Sequence, residues 1–201
     1  MIRLLRFIAD SMDNPQSRGS FGEMIVASIF DNRFFGDEEH YIVNDLLFGT
    51  PDGKTHQIDH VVIYKTGVFC VETKNIVGLI IGHQDANEWK VYVHSGAEPY
   101  NIYNPLMQNK GHVNVLSKFL NRSGIHSVVV FIKGNKPKDC SEAVINIQEL
   151  KDYIKNYRCE KELNSNEMKE IYGLLTSHKE VVDIMKTDHI KNVKEIKNKN
   201  H

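Results

Sequence analysis

Apolar and polar positions along the chain change period several times, and each change marks an element. Between Ser17 and Phe30 the apolar residues Met24, Ile25, Ile29 and Phe30 recur at helical spacing. Ser20 with Glu23 three residues on has the spacing of a capping box, so a helix starts there. Tyr41–Phe48 reads as a strand, and Thr50-Pro-Asp-Gly53 as a turn. Gln57–Tyr64 and Val68–Lys74 read as two strands joined through Lys65-Thr-Gly67, short enough for a hairpin. Gly78–His83 and Trp89–Val93 read as a second hairpin. Asn104 is a natural N-cap with Pro105 at the first helical position, and that helix runs to about Leu120. Ser127–Ile132 is a continuous β-branched run between Gly124 and Gly134, the pattern of a buried strand. Ala143–Ile147 predicts a further strand, Gln148–Tyr157 a helix, and the chain from Asn164 onward is helical and polar.

These elements predict an α/β sandwich: a mixed central β-sheet with helices on either side, the strand at Ser127–Ile132 following the Asn104 helix as a crossover. A length of 201 residues suits one domain with an appendage. Residues 1–160 are expected to form the core, and 161–201 a lysine-rich helical C-terminal appendage, docked or loose. The apolar fraction of 41% is enough for a core. With 25 basic and 26 acidic side chains the net charge is −1, so any basic surface is local. Cys70, Cys140 and Cys159 are odd in number and form no C-x-x-C pair, which supports neither a disulfide framework nor a thiolate zinc site. A reducing, cytoplasmic setting is the expectation. No run approaches the roughly 20 apolar residues of a membrane span, so no membrane partner is expected.

The chemistry gathers in the first hairpin. A short loop around Lys65–Gly67 sets Asp59 opposite Glu72 or within two residues of it. Opposed residues of an antiparallel pair share a face at roughly 4.5–5.5 Å between Cβ atoms, and period-two alternation adds Lys74 to the Glu72 face. Ile58, Val61, Val62, Ile63, Val68, Phe69, Cys70 and Val71 coat both faces of the same strands, the pattern of a covered central pair. Two carboxylates at the end of such a pair repel by an amount on the order of 4 kcal/mol at about 4 Å and an effective dielectric of about 20. A divalent cation turns that repulsion into ligation, and an oxygen-rich site suits Mg²⁺ or Mn²⁺. A lysine on the same face can stabilise charge on a phosphate or orient an attacking water.

Beyond these physical arguments, an ordered set of short motifs resembles a known family. Gly22-Glu23, Gln57-Ile-Asp-His60, Phe69-Cys-Val-Glu-Thr-Lys-Asn75, Gly78, Gly82, Trp89 and Asn104-Pro-x-x-Gln-Asn109 together resemble the nuclease-related domain, NERD, over roughly Ser17–Leu120. That family looks like a branch of the PD-(D/E)xK nucleases, although here Ile58 stands where a proline would precede the aspartate. The resemblance implies a restriction-endonuclease-like sandwich. It implies metal-binding roles for Glu23, Asp59, Glu72 and Thr73, and catalytic roles for Asp59, Glu72, Lys74 and Gln108.

Each assignment has a plainer competitor. Glu23 could be only the capping-box partner of Ser20, Asp59 a solvated strand-end acid, Glu72 and Lys74 a surface ion pair, and Gln108 a loop-satisfying amide. His60 reads as structural and Trp89 as core; His83, His94 and His112 lack a fixed ligand spacing and carry no expected metal role. The function expected is a divalent-metal-dependent nuclease acting on DNA, with RNA less favoured. The alternative is a catalytically weak nucleic-acid-binding or scaffold module with the same fold. Nucleases often pair to cut both strands, so a homodimer is considered, although no residue pattern specifies one.

Overall fold

The computed structural model describes residues 22–28, 35–51, 53–93, 97–137 and 140–199, without the side chains of 134, 135 and 186–199. A helical segment, α1, covers residues 22–28. Ser20 and the rest of 17–21, with 29–30, lie outside the described residues, so the expected cap and the ends of that helix are not seen. Then come β1 (Tyr41–Gly49), β2 (Thr55–Tyr64), β3 (Gly67–Ile81), β4 (Glu88–Tyr92) and β5 (Tyr100–Tyr103). They are followed by α2 (Pro105–Phe119), β6 (Ile125–Asn135), β7 (Val144–Asn146), α3 (Leu150–Lys155) and α4 (Ser165–Lys199). No helix among the described residues is long and apolar enough to cross a membrane.

The strands form one mixed sheet, as the hydrophobic pattern predicts. β1, β2, β3, β4 and β5 are antiparallel neighbours, while β6 lies parallel to β3 and to β7. The β3–α2–β6 crossover was expected from the sequence. Two readings need correcting. Val68–Lys74 and Gly78–Ile81 are one strand of 15 residues, interrupted by register shifts between Lys74, Asn75 and Leu79 rather than by a turn. β5 was not anticipated, because Tyr-Asn-Ile-Tyr is only four residues long and mostly exposed.

Two of the motif glycines, Gly78 and Gly82, belong to the second hairpin. A Cβ on Gly78, at φ 137°, would sit 2.5 Å from the Tyr92 carbonyl oxygen, and one on Gly82 would sit 2.2 Å from Cγ of Trp89. Trp89 is buried and donates its indole N–H to the His83 carbonyl at 2.9 Å, so it is core, as expected, rather than a stacking platform.

Both faces of the sheet are covered. On one, Ile25 and Val26 of α1 and Leu150 and Ile154 of α3 pack on Val62, Phe69, Val71, Val128 and Val130. On the other, Leu116 of α2 and Met168, Ile171 and Leu175 of α4 pack on Val61, Ile63, Val68 and Cys70. The near-continuous burial of β2 and β3 follows from this double cover. The first half of α4 is docked. His178 stacks on Phe48 at 4.4 Å and its Nε2 meets the Leu47 carbonyl at 2.9 Å, while Lys179 donates to the Asn44 carbonyl.

Candidate active site

The β2–β3 ladder runs from Tyr64↔Gly67 to His60↔Val71 and ends there. β2 continues alongside β1 to Thr55, while β3 continues alongside β6 and then β4. The two strands therefore part at the position where the same register would set Asp59 against Glu72, as the hairpin argument predicted. Val68 and Cys70 belong to the α2-side core and Phe69 and Val71 to the α1-side core. Alternation therefore turns Glu72 and Lys74 toward α2 and the Thr73 side chain away from it.

The contacts in this opening are specific. The Asp59 carboxylate accepts the Thr73 backbone N–H at 2.8 Å. Lys74 Nζ donates to Glu72 Oε1 at 2.6 Å and to Gln108 Oε1 at 3.0 Å. Glu72 is 2% exposed, so this ion pair is sheltered and not a surface pair. Glu72 Oε2 faces His112 Nε2 at 3.4 Å, long for a hydrogen bond. Glu23 is half-buried at the start of α1.

Electrostatics links the three acids. Burial, and next the negative charge of Glu72, push the Asp59 carboxyl up to about 8, against the pull of the Thr73 N–H. Burial also works against the Glu72 charge, but the nearby His112 ring and the charge and hydrogen bond of Lys74 outweigh it, and its carboxyl lies below the ordinary value. Glu23 is raised by burial and then by Asp45 and Glu72, with Lys74 opposing. On the opposite face His60 is buried and lowered to about 4 by desolvation, and its Nδ1 lies 2.8 Å from Asn44 Oδ1. This is the structural role expected for it.

α2 carries the supporting residues. Asn104 caps it, accepting the Leu106 N–H at 2.9 Å, while its amide donates to the carbonyls of Gln84 at 2.9 Å and Ala86 at 2.6 Å. Asn109 is buried; its amide nitrogen donates to the Cys70 carbonyl, Ser127 Oγ and the Val128 carbonyl, and its oxygen accepts the Cys70 thiol. It ties α2 to β3 and β6. Sequence reasoning quoted Asn104 and Asn109 as motif letters, giving Asn104 only its capping role, and set His112 aside. The available signal was helical spacing: His112 lies four residues after Gln108, on the same helix face.

Among the described residues no three His, Cys, Asp or Glu side chains close into a ready-made cage. Mg²⁺ does not require one, since it commonly takes one or two carboxylates and fills its other positions with water and substrate phosphate. Asp59, partly buried, and Glu72, buried, are mutually repelling carboxylates, and Glu72 Oε2 has no hydrogen bond of normal length. Glu23 is close enough to raise both the charge density and its own affinity for a proton. This donor set fits the ion. The Thr73 side chain is buried and turned away from α2, and its backbone N–H is given to Asp59.

Residues 18–132 match the nuclease-related domain family, NERD, over more than half of the chain, and the chain belongs to that family. It is also similar to an uncharacterised protein of Bacillus anthracis, 28% identical over 167 residues that cover 79% of this chain and 75% of that protein. A looser likeness, at 13% identity and a TM-score of 0.36, covers 94% of this chain and 99% of the small subunit of the heterodimeric restriction endonuclease R.BspD6I.

Proposed function

We propose that this protein is a divalent-metal-dependent nuclease that hydrolyses phosphodiester bonds in DNA, in the manner of the restriction-endonuclease-like enzymes its family resembles. The observation that supports it best is the junction of Asp59, Glu72 and Lys74 where β2 and β3 part. Mg²⁺ or Mn²⁺, held by Asp59 and Glu72 with Glu23 and the Thr73 backbone beside them, would supply Lewis acidity toward a phosphoryl oxygen and acidify water. Lys74 does the rest of the electrostatic work. Its ammonium has three donors, of which Glu72 and Gln108 take two, leaving the third for a phosphate oxygen. Gln108 fixes the direction of that donor. RNA is a less favoured substrate, a homodimer would allow both strands of a duplex to be cut, and the free cysteines suit the cytoplasm.

A catalytically weak nucleic-acid-binding module is the second reading, favoured by the lack of a closed three-ligand cage among the described residues. Cleavage of labelled single- and double-stranded DNA with Mg²⁺, Mn²⁺ or EDTA, run beside Lys74→Ala, separates the two. Metal-dependent cleavage lost in the variant supports the nuclease. Folded parent protein that cuts nothing supports the binding module, and equal cleavage by both proteins removes Lys74 from the mechanism.

A further inference from the structure

Glu72 has two oxygens, and Lys74 holds only one of them. Oε1 is taken by Lys74, whereas Oε2 is turned inward, where His112 Nε2 waits at 3.4 Å. His112 is itself buried at 6% exposure, and its Nδ1 lies 3.3 Å from Nδ1 of His56, the two rings edge to face at 5.4 Å between centroids. A carboxylate can only accept. Facing it, His112 must donate from Nε2; with His112 Nδ1 as the acceptor, His56 donates from its own Nδ1. The result is a directed chain of two imidazoles, from the start of β2 through α2 to the inner oxygen of Glu72. Distances of 3.3–3.4 Å suit a support that tightens when the carboxylate is loaded.

We infer that His112, held by His56, is a positioning residue that fixes the rotation of the Glu72 carboxylate and so sets the protein's affinity for a divalent cation. The inference rests on the metal reading given above. Gln108 and His112 are four residues apart on α2, so one helix face steadies both members of the Lys74–Glu72 pair, Gln108 at the ammonium and His112 at the carboxylate. Outer hydrogen bonds to ligating carboxylates are typically worth about 10–100-fold in metal affinity. A purely structural histidine would leave that affinity alone and change only stability.

The test uses the full chain and Mn²⁺ as the probe, with binding followed by calorimetric titration and the imidazole tautomer by ¹⁵N NMR of the metal-free protein. His112→Ala is expected to weaken Mn²⁺ binding by about 10-fold or more. His112→Gln, whose amide N–H can still donate to Oε2, is expected to recover most of that loss, and His56→Ala to fall between His112→Ala and the parent. Should His112→Ala fail to fold, the glutamine variant and the parent's tautomer carry the test. A His112 ring protonated on Nδ1 rather than Nε2 overturns the inference. So does unchanged Mn²⁺ affinity in a folded His112→Ala, with the metal reading left standing. A folded parent that binds no Mn²⁺ overturns both together.

Discussion

Asn109→Ala isolates the joint between α2 and the sheet. The parent side chain is 0% exposed and its amide nitrogen donates at 2.9 Å to the Cys70 carbonyl, 2.9 Å to Ser127 Oγ and 3.1 Å to the Val128 carbonyl, while its oxygen accepts the Cys70 thiol at 3.2 Å. An amide has two N–H donors, so the three acceptors share two strong bonds. Each such bond contributes about 1 kcal/mol net, and each buried partner left unsatisfied costs about 1–3 kcal/mol. Ser127 is half-buried and can turn to water, so the penalty falls on the two carbonyls. The sum is a loss of about 3 kcal/mol. For a chain of this size that lowers Tm by roughly 6–12 °C. Urea unfolding followed by circular dichroism measures the loss directly. Gln108→Ala, one residue away on a half-buried position whose side chain accepts from Lys74, should change stability by less than about 1 kcal/mol while disturbing the site. A loss below about 1 kcal/mol in Asn109→Ala, or equal losses in both variants, would refute the claim that Asn109 is the joint and Gln108 the working residue.

Two further outcomes follow from other parts of the fold. Leu175→Ala, at a fully buried position of α4, should cost about 2–5 kcal/mol by chemical denaturation; a loss under about 0.5 kcal/mol would show that the helix is undocked in solution. Glu38 receives hydrogen bonds from Lys155, Tyr64 and Lys65, which hold its carboxyl at about 2. A depressed carboxyl stabilises above its ordinary value near 4.5 and loses that contribution as pH falls through about 2. The parent should therefore lose its advantage over Glu38→Gln as pH falls from about 5 to 2, and less advantage should be seen in high salt because the group is exposed. A difference independent of pH would mean that the three hydrogen bonds do not hold in solution.

Much of the site was legible because strand chemistry is local. The register of a two-residue hairpin places Asp59 by arithmetic from Lys65 and Thr66, and alternation places Lys74 with Glu72. Asn104-Pro105 announced α2 to within a residue of its observed ends. What was hidden depended on distance in the chain. Nothing near His112 says that Glu72, forty residues earlier, ends beside it, or that His56 completes the contact. The continuity of β3 through Gly78 was hidden for a different reason. A glycine between apolar runs reads as a break, yet here it marks the close approach of the Tyr92 carbonyl. β5 was missed because it is an exposed four-residue edge with no buried side to produce a period.

At the candidate site the fold departs from its own rules. Up to His60↔Val71 the central strands are coated with apolar side chains on both faces, and the next position in that pattern asks for two more. An apolar pair there would remove Glu72 from a 2% exposed site and relieve the charge that pushes Asp59 up to about 8. Buried ion pairs replaced by well-packed apolar residues are often neutral or stabilising, so stability alone does not explain the acids. Four elements instead direct polar groups to this one point: α1 with Glu23, β2 with Asp59, β3 with Glu72, the Thr73 N–H and Lys74, and α2 with Gln108 and His112. A local rule broken in concert by separate elements is the signature of a working site, because each element would fold as well or better without its contribution. Glu23, Asp59 and Glu72 against the one ammonium of Lys74 leave the cluster short of positive charge, which the proposed divalent cation would supply.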